Sequence, residues 1–242
     1  MALMQIHFFS EALTECNSMD VILPVERWDR ECYPVLWLIP PAGMDHTAWQ
    51  RNTAVERLAN ELGMIVAMPD MKLSFGTDMV HGFKYFTMLT RELPELIKEY
   101  FPVDLTKQYI AGAKEGAYAA LRAALKCPGT YQMALGFSCG SLTDEILAER
   151  KREWAANAFG SEDMEPLQDT EFSLRYLLKQ ADQNEVCIHF AYGENDEYAG
   201  SSRAFAQALE EGGGNCVERL EGRLTWENWF SLLQKNMANE IK

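Results

Sequence analysis

The sequence predicts an α/β protein whose mainly parallel sheet is covered by helices on both faces. Three observations carry this expectation. Strand-like and helix-like runs alternate along the chain. Val35-Leu36-Trp37-Leu38-Ile39 is continuously apolar, as a strand buried on both faces requires. The stretch Tyr109–Leu125 passes from an apolar strand, through small residues, straight into an Ala-rich helix. With 242 residues and 48% hydrophobic content, the chain suffices for one domain over 1–242 with a substantial core.

Taken in order, Gln5–Phe9 and Asp20–Leu23 read as opening strands, arranged as a hairpin. The central strand Val35–Ile39 is followed by a helix over Thr53–Leu62 that Gly63 ends, and then by the strand Met64–Met68. Phe83–Phe101 has helical spacing (Phe83, Phe86, Leu93, Leu96, Ile97, Tyr100), with a kink or a helix start expected at Pro94. Gln108–Ala111 is a strand, and the helix after it stops at Lys126, ahead of Pro128. Gln132–Phe137, Val186–Tyr192 and Cys216–Leu220 complete the strands. The last helix aligns Trp226, Trp229, Phe230, Leu233 and Met237 on one stripe that packs on the sheet. The charged region 142–183 reads as a helical excursion between strands.

Composition narrows the partners. A net charge of −14 argues against nucleic acid and against an anionic membrane surface. No apolar stretch has the length of a membrane span. The six cysteines (Cys16, Cys32, Cys127, Cys139, Cys187, Cys216) lack metal-site spacing and read as reduced, buried thiols of a cytoplasmic protein. No metal or cofactor is expected. The open partners are a small-molecule ligand, a protein, or a second copy in a homo-oligomer.

Two segments compete to be a nucleophile elbow. Gly136-Phe137-Ser138-Cys139-Gly140 matches the G-x-S-x-G signature of serine hydrolases literally. With 16 glycines in the chain, however, a Gly-x-x-x-Gly pair arises about once by chance. An elbow needs a strand, a sharp turn between small neighbours and an immediate helix. Gly112-Ala113-Lys114-Glu115-Gly116 has all of these, but with lysine at its apex. Ser138, next to bulky Phe137, reads as a strand-end serine satisfied by local hydrogen bonds. A triad on such an elbow runs nucleophile, acid, histidine along the chain. His7, His46, His81 and His189 all precede Asp196, the best acid candidate, so the base is missing from its place. His46 and His81 read as structural loop residues, His189 as a satisfied core histidine, and Glu194 and Glu197 as solvated loop charges.

On these residues the chain resembles the esterase D and S-formylglutathione hydrolase family of the α/β-hydrolase fold, most closely its bacterial tributyrin esterase branch. Tyr33–Ile39, Asp45-His46-Thr47-Ala48-Trp49, Met68-Pro69-Asp70, Phe75-Gly76-Thr77-Asp78 and Arg91-Glu92-Leu93-Pro94-Glu95 with Tyr100-Phe101-Pro102 carry the likeness over nearly the whole chain. The resemblance implies that Lys114 occupies the nucleophilic serine position and that Asp196, in Tyr192-Gly193-Glu194-Asn195-Asp196, is the retained acid. It also implies that Leu224 replaces the catalytic histidine and that Pro40-Pro41 replaces the His-Gly pair of the oxyanion loop. Proline removes the N–H there and fixes φ. The chain is therefore read as an esterase-fold homologue without the standard triad. It would bind a ligand or partner through Pro40, Pro41, Ala42, Asp45 and Glu115. An ion pair from Lys114 to Asp196, shared with Glu115, is expected in place of the triad. The alternative is an active carboxylic-ester hydrolase with Ser138 as nucleophile.

Overall fold

The apolar run around Trp37 is strand β3 (Tyr33–Ile39), buried at every position. It lies inside an eight-stranded sheet of order β1-β2-β4-β3-β5-β6-β7-β8. The other strands are β1 (Ala2–Ser10), β2 (Glu15–Leu23), β4 (Ile65–Pro69), β5 (Val103–Ala113), β6 (Tyr131–Phe137), β7 (Ile188–Gly193) and β8 (Cys216–Leu220). This computed structural model describes residues 1–27, 30–139, 149–162, 165–182, 185–213 and 215–240. The β1–β2 hairpin and the β2–β4 pair are antiparallel, and the other five pairs are parallel.

Side-chain alternation along β3 divides the core in two. Val35, Trp37 and Ile39 face one layer, with Tyr118 and Leu121 of helix α5 (Glu115–Lys126) and Phe205 of α8 (Ala199–Gly212). Leu36 and Leu38 face the other, with Leu58 of α2 (Val55–Leu62) and Trp229 and Leu233 of α9 (Trp226–Glu240). The fold class read from the sequence is therefore the observed one.

Some boundaries differ. The helix expected over Thr53–Leu62 is preceded by a separate turn, α1 (Ala48–Asn52). Thr53 is extended between them, and its hydroxyl bonds the Trp49 carbonyl at 2.6 Å. Gly63 closes α2 in the left-handed conformation. The Phe83–Phe101 region contains α3 (Tyr85–Thr87), a π-helical turn (Met88–Glu92) and α4 (Leu93–Tyr100). Pro94 cannot donate an i→i−4 bond, and the wider turn ahead of it accommodates that loss. Within the 142–183 excursion the described residues form α6 (Glu149–Phe159), a 3-10 turn (Glu165–Leu167) and α7 (Leu174–Gln180). Residues 140–148, which include Gly140 of the literal serine motif, lie outside the described residues. Of the six cysteines, only Cys139 is buried; Cys16, Cys32 and Cys216 are exposed, against the reading of buried thiols. The tertiary environment, not the apolar neighbours in sequence, decides their exposure.

The topology places the site. From β3 the chain moves outward to β4, then returns to lay β5 on the opposite side of β3. At such a reversal the loops leaving the carboxyl ends of adjacent strands diverge and open a crevice. The loop after β3 carries Pro40, Pro41 and Ala42, and the loop after β5 is the single residue Lys114.

Candidate functional site

Lys114 stands alone between β5 and α5, with φ 52° and ψ −119°. That conformation is strained for a residue with a Cβ and persists only when its surroundings enforce it. The two flanking glycines show the enforcement. A Cβ at Gly112 would lie 2.2 Å from the Gly116 carbonyl oxygen, and one at Gly116 would lie 2.4 Å from the Pro40 carbonyl oxygen. Strand, helix and the loop after β3 thus touch backbone to backbone, and the segment is a nucleophile elbow in shape.

Ser138 also has a positive φ, of 56°, but its hydroxyl is enclosed. The residue is 2% exposed, and its Oγ accepts a 2.8 Å hydrogen bond from the indole Nε1 of Trp229. The partner is 91 residues away, so the expectation of local satisfaction is corrected: helix α9 supplies the donor. Cys139 beside it is buried, and burial pushes its thiol well above the ordinary range, with Glu115 adding to the effect.

The expected Lys114–Asp196 ion pair is not formed. Lys114 Nζ instead bonds Glu197 Oε2 at 3.1 Å. Asp196 has other partners: its carboxylate accepts the Gly193 N–H and the Leu224 N–H, each at 2.7 Å. The Leu224 backbone thus helps hold the Asp196 carboxylate, while the Leu224 side chain is buried in the second core layer. Glu115 makes its hydrogen bonds to other groups. It is 5% exposed and accepts the Tyr198 hydroxyl at 2.5 Å and the Ala42 N–H at 3.3 Å. Burial raises the Tyr198 phenol strongly, and the Glu115 carboxylate reinforces the shift. Glu197, read as a solvated charge, is thus part of the site.

An oxyanion hole on this fold uses the N–H of the residue after the nucleophile and an N–H from the loop after β3. Those positions are Glu115 and Ala42. In this chain the Glu115 carboxylate occupies the Ala42 donor. The Glu115 side chain thus lies where a developing oxyanion would have to be received.

Above the elbow lies a pocket of about 200 Å³, bounded by Lys114 and Glu115 at one side and by Trp154, Trp226, Trp229 and Met44 elsewhere. Pro41 and Ala42 also border it, whereas Pro40 lies behind, against Gly116. Trp226 and Trp229 meet edge to face, 5.1 Å apart at 71°, and Trp226 meets Trp49 at 5.0 Å and 88°. Asp45 lines a neighbouring groove of about 830 Å³ with Arg51, Asp70 and Lys72, and not the pocket over Lys114. Its carboxyl is held below the ordinary range chiefly by the Thr47 hydroxyl, a bond of 2.6 Å. Trp154, Glu197 and Tyr198 are the site residues that sequence reasoning missed. The Trp226/Trp229 spacing pointed to the sheet, which Trp229 does reach.

The histidines serve elsewhere. His189 Nδ1 lies 2.7 Å from Asn236 Oδ1, as expected of a satisfied core histidine. His46 sits between two carboxylates, 3.7 Å from Asp20 and 4.0 Å from Asp70. Among the described residues no histidine side chain bonds Lys114, Ser138 or Asp196. Nor is any group of three His, Cys, Asp or Glu residues there arranged to hold a metal ion.

Comparison with known proteins agrees with this architecture. The family profile described as "Putative esterase" matches residues 10–239. An acetyl esterase of Caldicellulosiruptor saccharolyticus is 25% identical over 265 aligned positions, covering 100% of this chain and 97% of that protein. An S-formylglutathione hydrolase of Bos taurus is 25% identical, covering 74% of this chain and 69% of that protein. The solved structure of a fluorophosphonate-binding serine hydrolase from Staphylococcus aureus superposes with a TM-score of 0.83 at 22% identity, covering 100% of this chain and 98% of that one. The sheet, the elbow and the family match agree: this chain belongs to the esterase family and has the α/β-hydrolase fold.

Proposed function

We propose that this esterase-family protein is not a catalyst and acts by binding a ligand or partner at the former active site. One observation carries the reading: the strained apex of the elbow presents a lysine ammonium paired with Glu197. A protonated amine is not a nucleophile, and an amide formed on it would not turn over. Three further changes support the reading. Leu224 stands where the base is implied, Pro40-Pro41 has one fewer pair of donors than His-Gly, and Glu115 takes the Ala42 N–H. Loss of nucleophile and base alone removes about six orders of magnitude of rate. We place the protein in the cytoplasm because none of its six cysteines, all of them among the described residues, forms a disulfide.

The test is hydrolysis of p-nitrophenyl acetate and a short ester panel. The wild type should not exceed a heat-killed control. The double reversion Lys114→Ser with Leu224→His should acquire measurable turnover if the pocket is otherwise intact. Wild-type hydrolysis abolished by Ser138→Ala would overturn the proposal in favour of a relocated nucleophile.

A further inference from the structure

Each charged side chain at the Trp-lined pocket is already answered by the chain itself. Lys114 is paired with Glu197, and Glu115 receives Tyr198 and the Ala42 N–H. Among the described residues, one ammonium and two carboxylates meet at this corner, within a chain of net charge −14. An incoming carboxylate would reach Lys114 only alongside the Glu197 carboxylate and while facing the buried Glu115. An incoming ammonium would have to displace Lys114 from Glu197. The first sets like charges side by side, the second trades one ion pair for another, and both add the desolvation of the ligand's charge. An uncharged ligand leaves both arrangements intact.

The walls define the rest of the ligand. Indole surfaces from Trp154, Trp226 and Trp229 offer stacking and edge contacts to a flat ring. The Trp229 N–H is committed to Ser138, so that wall presents carbon to the pocket. The Lys114 ammonium has three N–H groups, and among the described residues it directs one at Glu197. It can therefore donate to a ligand oxygen without giving up its partner. The volume of about 200 Å³ lies below the usual range for drug-sized ligands, which suits a single ring.

We propose that the pocket selects an uncharged, single-ring aromatic ligand bearing one hydrogen-bond acceptor, and rejects the carboxylate and ammonium forms of the same ring. This inference rests on the reading of the site as a binding site and adds the ligand class.

The test compares benzamide, benzoate and benzylammonium on the full chain at pH 7, by calorimetry and by indole fluorescence. Benzamide should bind saturably, with the two charged probes at least about tenfold weaker, the size of one disrupted charge contact. Trp154→Ala should weaken benzamide while circular dichroism shows the fold retained, because Trp154 is only half-buried. Glu197→Gln frees Lys114, and benzoate should then tighten about tenfold while benzamide barely changes. The inference is overturned if benzamide does not saturate, if either charged probe binds the wild type equally well, or if Glu197→Gln leaves the order of affinities unaltered. The parallel p-nitrophenyl acetate assay separates the two ideas. No hydrolysis with no benzamide binding removes the ligand class alone, whereas hydrolysis with preserved charge selection removes the non-catalytic reading alone.

Discussion

Lys114 shows how much one residue can disclose and how much it leaves out. Its place on the elbow was legible from Gly112, Ala113, Gly116 and Ala117, because close approach of strand and helix demands small residues. Its partner was not legible. Asp196 and Glu197 are adjacent in sequence, and only the course of the loop after β7 decides which carboxylate faces the lysine. The same residue has an energetic consequence. A side chain with Cβ at φ 52° is strained, and a cation at the N-terminus of α5 is disfavoured. The Glu197 pair, partly exposed on both sides, offsets little of this. Lys114→Gly is therefore expected to stabilise the fold by about 1 kcal/mol, measured as a higher urea midpoint at unchanged slope. A lower midpoint would mean that the ion pair outweighs the strain.

Between elements, the contact from α9 to the end of β6 is the one that sequence patterning could not supply. Periodicity placed Trp229 on the buried stripe of α9, which is correct. It said nothing of the indole N–H that reaches Ser138 across 91 residues. That bond also redefines the literal G-x-S-x-G match, since the serine oxygen serves as the acceptor for a buried donor. Ser138→Ala leaves the Trp229 N–H without its acceptor in a 4% exposed site. We expect a loss of about 1–3 kcal/mol by chemical denaturation, and no change in any esterase signal. The hairpin, the parallel strands and α5 were all readable, because their periodicity is local. Trp154 was not, because α6 reaches the pocket from the excursion between β6 and β7, whose path follows from packing.

Over the whole molecule, the charge of −14 and the buried carboxyl of Asp20 act in the same direction. Asp20 is fully buried on β2, with His46 Nε2 3.7 Å from its Oδ1. Burial raises its pKa above the ordinary 3.8, against the attraction of His46. The folded state therefore holds this proton to higher pH than the unfolded chain, so stability falls as pH rises from 3.8 through the raised folded value. Asp20→Asn removes that dependence. Its stability relative to wild type should improve with rising pH across this window and become constant above it, read from paired urea titrations. A constant difference at every pH would show that the Asp20 proton is not coupled to folding.

The elbow backbone has a consequence of its own. Its shape is imposed by contacts of Gly112 and Gly116 with neighbouring main chain, and none of those contacts involves the side chain at 114. The fold therefore treats position 114 as a socket, holding whatever residue is inserted at a fixed angle against the indole-walled pocket. A hydroxyl, a thiol, an amine or an unnatural side chain placed there would meet the same surroundings. That geometry makes position 114 a place where a new chemistry can be installed with little disturbance to the rest of the protein.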